Sequence, residues 1–468
     1  MTQIDLTETS RFRLPLEDRP AMGAGTVVMV LALAIVVVIA PVIAVRFPPI
    51  NDYPFHLARI RILNHLNDPI ISEFYEAGSW LLPNIAIDVV ALGLAQLVGA
   101  EIATKIFLLM CAAGLVVGPA LLHRAAHGRW SVWSVLAGML VFNGILRWGF
   151  MNYLFGVGLA FGLAAAWIMV ADRRAQLAIG LVGGLVVMLC HLASFGVLAV
   201  IVSSYELSQF WHHRRTLRKA SIRLIVSAIP FCICLTGFVA ISPTSEGGGI
   251  DFPSIYYWKT WGGLASLSSS IIWLDALTVA LMTGLVIVLM LRGQLRLSIP
   301  LVVACVMMSL VYLLSPDRVF SAQLVDTRLI VPAVMLAVIA IDFRAFGSRR
   351  LTVGVGVAVL AVLIVRGGVI SSYWTHWESK IVAETTSLKA VRPGSVLLVV
   401  SAEPRTPHFV FSAEQQASWT PPLQHVASYT VLWSPAFVVM TFAHPLQQPL
   451  AVRPDYQDLK AYQSLPEK

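Results

Sequence analysis

Apolar runs long enough to cross a bilayer recur along this chain and leave little sequence between them. They fall at 26–45, 81–99, 102–122, 221–241, 269–291, 297–314, 328–343 and 351–371. Two longer blocks, 131–171 and 175–210, each hold enough residues for two short helices. A crossing helix needs about 20 apolar residues. The bilayer offers backbone groups no water, so only helices and closed barrels span it. The expected fold is therefore an all-α polytopic membrane protein. Composition agrees: 12% of the 468 residues are charged, against about 25% in a soluble domain, and the mean hydropathy is +0.78.

The formal net charge of +8 is not a nucleic-acid signal, because the basic residues sit in short connectors between apolar runs. That is the positive-inside pattern. Arg214, Arg215, Arg218 and Lys219 form the strongest connector, and His212 and His213 beside them read as part of a lipid-headgroup anchor. Arg292 with Arg296, and Arg344 with Arg349 and Arg350, repeat the sign two and four runs later. With Arg11, Arg13 and Arg19, they place 1–25 as a cytoplasmic segment. The transmembrane domain is expected over 26–371, with an outer loop at 46–80, and a periplasmic C-terminal domain over 372–468. Twelve crossings would put both termini on one side, so an odd number, 11 or 13, is expected. The interruption Asn143–Asn152 is where the regular count should break. The implied location is a bacterial inner (plasma) membrane, with an uncleaved first span. Cys111, Cys190, Cys232, Cys234 and Cys305 lie in apolar stretches and read as core thiols, without disulfide or metal spacing.

Two segments outside the spans carry their own signals. Over 50–68, Phe55, Ile60, Leu63 and Leu66 share much of one helical face while Arg59, Arg61 and Asn64 point elsewhere, the pattern of an amphipathic helix lying on the membrane. In the tail, 395–400 and 437–442 read as strands and 378–390 and 422–430 as helical, which together suggest a small α/β unit.

Ionisable groups at membrane depth are costly and mark sites. The densest set is Pro48-Pro49-Ile50-Asn51-Asp52-Tyr53-Pro54-Phe55-His56-Leu57-Ala58-Arg59. Asp52 suits a general base that orients an acceptor hydroxyl, or simply a helix N-cap, which Pro54 in the first turn also fits. His56 and Arg59 follow on adjoining parts of one face, and a guanidinium fork fits phosphate, whether of a substrate or of a lipid headgroup. Asp88, inside the second run, reads as a cavity-wall group or as half of a pair with Arg147 or another buried base. Asn143, Arg147 and Asn152 crowd one short window. His191 interrupts another apolar block, as an interhelical histidine or a ligand. Asp326 and Arg328 open a later span, as an interface anchor or as a second wall of the site with Asp326 orienting Arg328. Loop 242–262, with Gly247-Gly248-Gly249, Asp251, Tyr256, Tyr257 and Trp258, suits sugar stacking or interface placement alike. No phosphate-binding Gly-rich loop, no His-Glu-x-x-His and no nucleophile elbow is present in the sequence, so an ATP-driven pump is not expected, no cofactor is expected, and a divalent metal stays open without a motif that supports it.

A cytoplasmic start, one span, an outer loop opening on an acidic residue, then many spans and an outer tail resembles the C-type (GT-C) integral-membrane glycosyltransferases. At the residue level the resemblance rests on Asp52, His56 and Arg59, spaced Asp-x-x-x-His-x-x-Arg. It implies a polyprenyl-phosphate-linked sugar as donor, Asp52 as the catalytic acid-base residue, and transfer to a periplasmic or lipid acceptor. The commoner family pattern has two adjacent acidic residues. Here Asn51 precedes Asp52, so the metal binding that goes with that pattern is not carried over. The rival expectation is a transporter or flippase for a lipid-linked or anionic solute, using Asp88, Arg147 and His191 as pathway groups. A third is a scaffold whose tail binds another envelope protein.

Overall fold

The computed structural model describes residues 23–212, 217–242, 249–252, 255–319, 323–343, 349–399 and 423–460. Helix α1 (Ala24–Ala44) opens the chain, and α2 (Tyr53–Leu63), α3 (Pro69–Phe74) and strand β1 (Tyr75–Ala77) follow outside it. Next come α4 (Ala86–His127), a 3-10 segment Val132–Leu140, the short α5 (Gly144–Trp148) and α6 (Met151–Met169). Helix α7 (Arg173–Ala178) runs through a π-turn into α8 (Gly184–Cys190), followed by α9 (Leu192–His212) and α10 (Leu217–Ile241). Strand β2 (Ile250–Asp251), α11 (Ile255–Leu267), α12 (Ile272–Leu291), β3 (Leu295–Leu297), α13 (Ile299–Leu314) and β4 (Arg318–Val319) continue the chain. A 3-10 turn leads into α14 (Ile330–Ala340), then β5 (Ile341–Phe343) and the long α15 (Arg349–Leu388). The tail holds β6 (Val396–Leu397), a 3-10 segment Val426–Leu432, β7 (Phe437–Val438), β8 (Leu450–Val452) and α16 (Pro454–Lys460).

Among the described residues eight helices are long and apolar enough to cross a membrane, and Ile299–Leu314 and Thr327–Ala340 are shorter apolar helices. They behave as membrane spans should: α1 buries Val27, Leu31, Ala34 and Val38 on one stripe and exposes Met29, Val36 and Ile43 on another. A helix that is apolar all round buries one stripe in the bundle and leaves the remainder for lipid. Helices α4 and α6 approach closely enough that a Cβ on Gly118 would overlap the Gly158 carbonyl, the small-residue contact by which spans gain packing without a hydrophobic drive.

Three expectations change. The run 81–99 is not a separate full span: α4 begins at Ala86 and breaks at Gly99 (φ 78°). At about 1.5 Å per residue its first arm is only about 20 Å long, short of the ~30 Å hydrocarbon core. The block 131–171 breaks within the expected interruption, where Asn143 caps α5 and Gly149 ends it with φ 103°, but its first half is a 3-10 segment. Segment 50–68 does not form the amphipathic helix expected of it. Helix α2 is shorter, and Tyr53 through Ile60 are all buried, because the tail packs over it.

Among the described residues the sheets are four two-stranded pairs. β3 and β5 pair antiparallel at the end of the bundle where the basic connectors lie. At the opposite end β1 pairs antiparallel with β8, matching Tyr75 with Val452, and Arg453 N donates to the Phe74 carbonyl at 2.9 Å. The expected tail strands are reduced to a two-residue parallel bridge, Val396–Leu397 with Phe437–Val438. Helix α15 runs unbroken past residue 371 to Leu388. The tail and the loop after α1 thus share one small core, in which Phe74, Tyr75, Phe437 and Leu450 are buried together.

Candidate active site

The site forms where α2 starts. Asp52 precedes the first turn, and Pro54 occupies its opening positions. The backbone is clamped from below: Asn51 N donates to the Arg147 carbonyl (2.8 Å) and Asp52 N to the Trp148 carbonyl (3.2 Å). Gly149 follows those carbonyls, and a Cβ there would stand 2.6 Å from the Asp52 Cβ. Its φ of 103° already favours glycine. The interruption 143–152 therefore serves as the floor on which Asp52 rests.

The Asp52 carboxylate does not cap its helix. Its contacts are the Asn51 amide at 3.3 Å and His425 Nε2 at 3.6 Å. Among the described residues no guanidinium or ammonium group reaches ion-pair distance of it, although the side chain is only 15% exposed. Burial pushes its carboxyl up to about 8, and the nearby Arg328 and Arg59 only partly oppose that. His425 comes from the tail and stacks on Phe55, ring centroids 3.9 Å apart. It forms a roof that nothing in the sequence announced, since its partners lie some 370 positions away.

Beneath Asp52 the polar groups form a chain. Arg59 grips Asp88 through Nε (2.5 Å) and Nη2 (3.1 Å), both side chains fully buried. The expected partner of Asp88, Arg147, is not involved. Arg59 Nη2 also faces His56 Nδ1 at 3.2 Å, while His56 Nε2 lies 3.0 Å from the Gly149 carbonyl. The imidazole therefore donates from Nε2 and accepts at Nδ1, which is the neutral form. Burial, with Arg59 beside it, lowers its pKa to about 3.

A second wall comes from α9, α14 and their approaches. Arg328 Nη1 meets His191 Nε2 at 2.7 Å, Nη2 donates to the Gln323 carbonyl at 2.6 Å, and the guanidinium lies 3.9 Å over the Phe150 ring. Its Nε has no partner among the described residues. Asp326 does not orient Arg328. It is held by Lys259 at 2.6 Å and by the Thr327 N–H at 2.7 Å.

Other expected residues are present but occupied. Asn143 bonds the Leu146 N–H and the Leu140 and Val141 carbonyls. Asn152 accepts from Ile87 N and donates to Asn84. Both fix backbone around the site. Arg147 donates to Ser270 Oγ and lines a cleft of about 20 Å³ with Ser269, Tyr373 and Trp374, roughly one water. In loop 242–262, residues 243–248, with Gly247 and Gly248, and the side chains of Tyr256, Tyr257 and Trp258 lie outside the described residues, as does the connector 213–216. The site thus gathers Asp52, His56, Arg59, Asp88, His191 and Arg328. His425 is the member that sequence reasoning missed, and Lys259, which holds Asp326 beside the site, was also unread. A lysine among Tyr256, Tyr257, Trp258 and Trp261 was the only available hint for Lys259.

No protein-family model matches the chain, and no curated protein matches it. Among solved structures it is similar to ArnT from Cupriavidus metallidurans bound to undecaprenyl phosphate. The identity is 13%, over 91% of this chain and 87% of that one, with a TM-score of 0.51. The apo state of the same protein aligns at 14% identity over 90% and 87%, with a TM-score of 0.47. The chain shares the fold of the ArnT structure bound to undecaprenyl phosphate. With eight helices long and apolar enough to cross a membrane among the described residues, it is a multi-pass membrane protein, and the resemblance read from the sequence holds at the level of fold alone.

Proposed function

We propose that the protein is an inner-membrane glycosyltransferase that moves a hexosyl or pentosyl group from a polyprenyl-phosphate carrier to a periplasmic or lipid acceptor. The observation that carries this reading is Asp52: an acid withdrawn from solvent, left without a cationic ion pair, and faced by Arg328, whose guanidinium carries an unpartnered N–H. In this proposal the acceptor hydroxyl gives its proton to the Asp52 carboxylate as its oxygen bonds the sugar carbon. The bond from that carbon to the carrier phosphate breaks, and Arg328 stabilises the charge developing on the departing phosphate. A base poised near the working pH is efficient in this role. Arg59, locked to Asp88, holds the neutral His56 and supports the floor without touching substrate.

The proposed topology counts eleven crossings: α1, the second arm of α4, residues 132–148, α6, α7 with α8, α9, α10, α12, α13, α14 and α15. This puts the N-terminus in the cytoplasm and the tail in the periplasm. The polyprenyl carrier is the proposed partner because the similar ArnT structure was determined with undecaprenyl phosphate. A flippase would draw on mobile charges, whereas Asp88, His191 and Arg147 are each engaged by a neighbouring side chain, which favours chemistry at fixed groups.

The test is Asp52→Asn in purified protein supplied with polyprenyl-phospho-sugars and candidate acceptors. Loss of transfer with donor binding retained supports the assignment. Undiminished transfer removes Asp52 from its role, and movement of intact donor across a vesicle without sugar transfer replaces the enzyme by a transporter.

A further inference from the structure

At the basic-connector end α4 finishes with His123 and His127, one turn apart, and Asp342 of β5 lies against them. All three are buried, and their donor atoms lie within 4.8 Å of one another. The two imidazoles overlap, with centroids 4.3 Å apart and planes inclined at 29°. His123 Nε2 stands 3.8 Å from Asp342 Oδ1, too far for a hydrogen bond. Two ligands on one tetrahedral ion, each at about 2.0–2.1 Å, are themselves about 3.4 Å apart, so this spacing suits a shared ion better than a direct contact.

The surroundings of each residue point the same way. His127 Nε2 lies 3.0 Å from the Ile339 carbonyl and donates to it, which leaves Nδ1 with its lone pair. A backbone carbonyl behind the ring is the second contact a metal-bound histidine usually makes. Neither ring nitrogen of His123 has a hydrogen bond of ordinary geometry among the described residues, although the Ile341 carbonyl faces the ring. Asp342 is oriented from the far side. Arg129 holds Oδ2 at 2.7 Å, and Ser131 Oγ and the Phe343 N–H approach Oδ1 at 2.8 and 2.9 Å. Oδ1 is also the oxygen that faces His123, and a cation bound there takes the place of one of its two present donors.

We infer that His123, His127 and Asp342 hold a divalent cation of the zinc class, with Ser131 Oγ or a water as fourth ligand. Two imidazoles and a carboxylate form a donor set that zinc accepts. Complete burial of the ligands assigns the ion a structural task. It clasps the end of α4 to the β3–β5 pair, and through it to α13 and α14. This site is separate from the Asp52 cluster and does not depend on the proposed transfer.

The test uses the full chain in detergent, stripped with a chelator and reloaded with Zn²⁺ or Co²⁺. The wild type should retain about one more equivalent of zinc than His123→Gln/His127→Gln. Zinc should raise its Tm by about 3–5 °C and leave that of the double variant unmoved. Cobalt should give the strong visible bands of a four-coordinate site in the wild type. If the double variant does not fold, His123→Gln alone, with cobalt affinity at least about tenfold weaker, and the wild-type cobalt spectrum decide. A wild type without cobalt bands and with a zinc-independent Tm overturns the inference and leaves a plain Arg129–Asp342 ion pair. Equal metal retention by wild type and variant overturns it as well.

Discussion

The two ends of the bundle treat buried carboxylates in opposite ways. At the basic-connector end, Glu206 receives Trp167 Nε1 at 2.9 Å and Arg223 at 2.8 Å, with Arg173 at 3.5 Å. Asp342 is likewise held by Arg129, Ser131 and a backbone N–H. At the other end Asp88 is gripped by Arg59, yet Asp52, one helical turn before His56, has no guanidinium or ammonium group at ion-pair distance among the described residues. A buried carboxylate without a partner lowers stability, and such groups collect where chemistry is done. Comparing the ends separates the carboxylates paired with a guanidinium from Asp52, which has none at ion-pair distance among the described residues.

The sharpest way to break this contrast is Asp52→Asn. Transfer should fall at least about 100-fold, the range of acid–base catalysis, while unfolding in detergent shows no loss of stability. Next is Arg59→Met, which strands Asp88 as a buried charge. Stability should fall by about 3–5 kcal/mol, read by thermal or denaturant unfolding, and Arg59→Met/Asp88→Leu should recover much of it.

The pH dependence sharpens the same comparison. Burial holds the Asp52 carboxyl up to about 8 in the folded protein, whereas an unfolded chain releases that proton near pH 4. Between these values the native state binds the extra proton, so this group's contribution to stability declines as pH rises. Asp52→Asn should therefore become progressively more stable than wild type from pH 4 to pH 8, and transfer by the wild type should climb through about pH 8. His56 runs the other way. Its folded pKa is held near 3, so it weakens the fold as pH drops below about 6.5, and His56→Gln should flatten that acid limb.

Removing the roof should matter less. His425→Ala should lower transfer about tenfold and move its pH midpoint, because the imidazole is the only titratable partner within 4 Å of Asp52 among the described residues. Glu206→Gln should have the smallest effect, about 1 kcal/mol of stability and no change in transfer, since Arg223 is partly exposed and reclaims water. A large activity loss there would erase the distinction between the two ends.

Much of this was legible in the sequence for physical reasons. Span length and apolar continuity report the bilayer directly, so α1, α10, α12 and α15 could be read from composition alone. Asp52, His56, Arg59 and Asp88 stood out because each is expensive in an apolar setting. Pairing was less legible. Arg59 and Asp88 are 29 positions apart, and nothing local distinguishes Arg59 from Arg147 as the partner. The 3-10 course of Val132–Leu140 was hidden because its residues suit a helix equally well. His425 was hidden because the tail has ordinary composition, where a histidine costs nothing and therefore signals nothing.

The pairing of β1 with β8 joins residues 75–77 to residues 450–452. During synthesis the loop after α1 leaves the ribosome long before β8, the strand that pairs with β1. A nascent chain that has not yet reached Leu450 lacks the partner of β1, so the pairing that ties the loop after α1 to the tail forms only once the tail has been made.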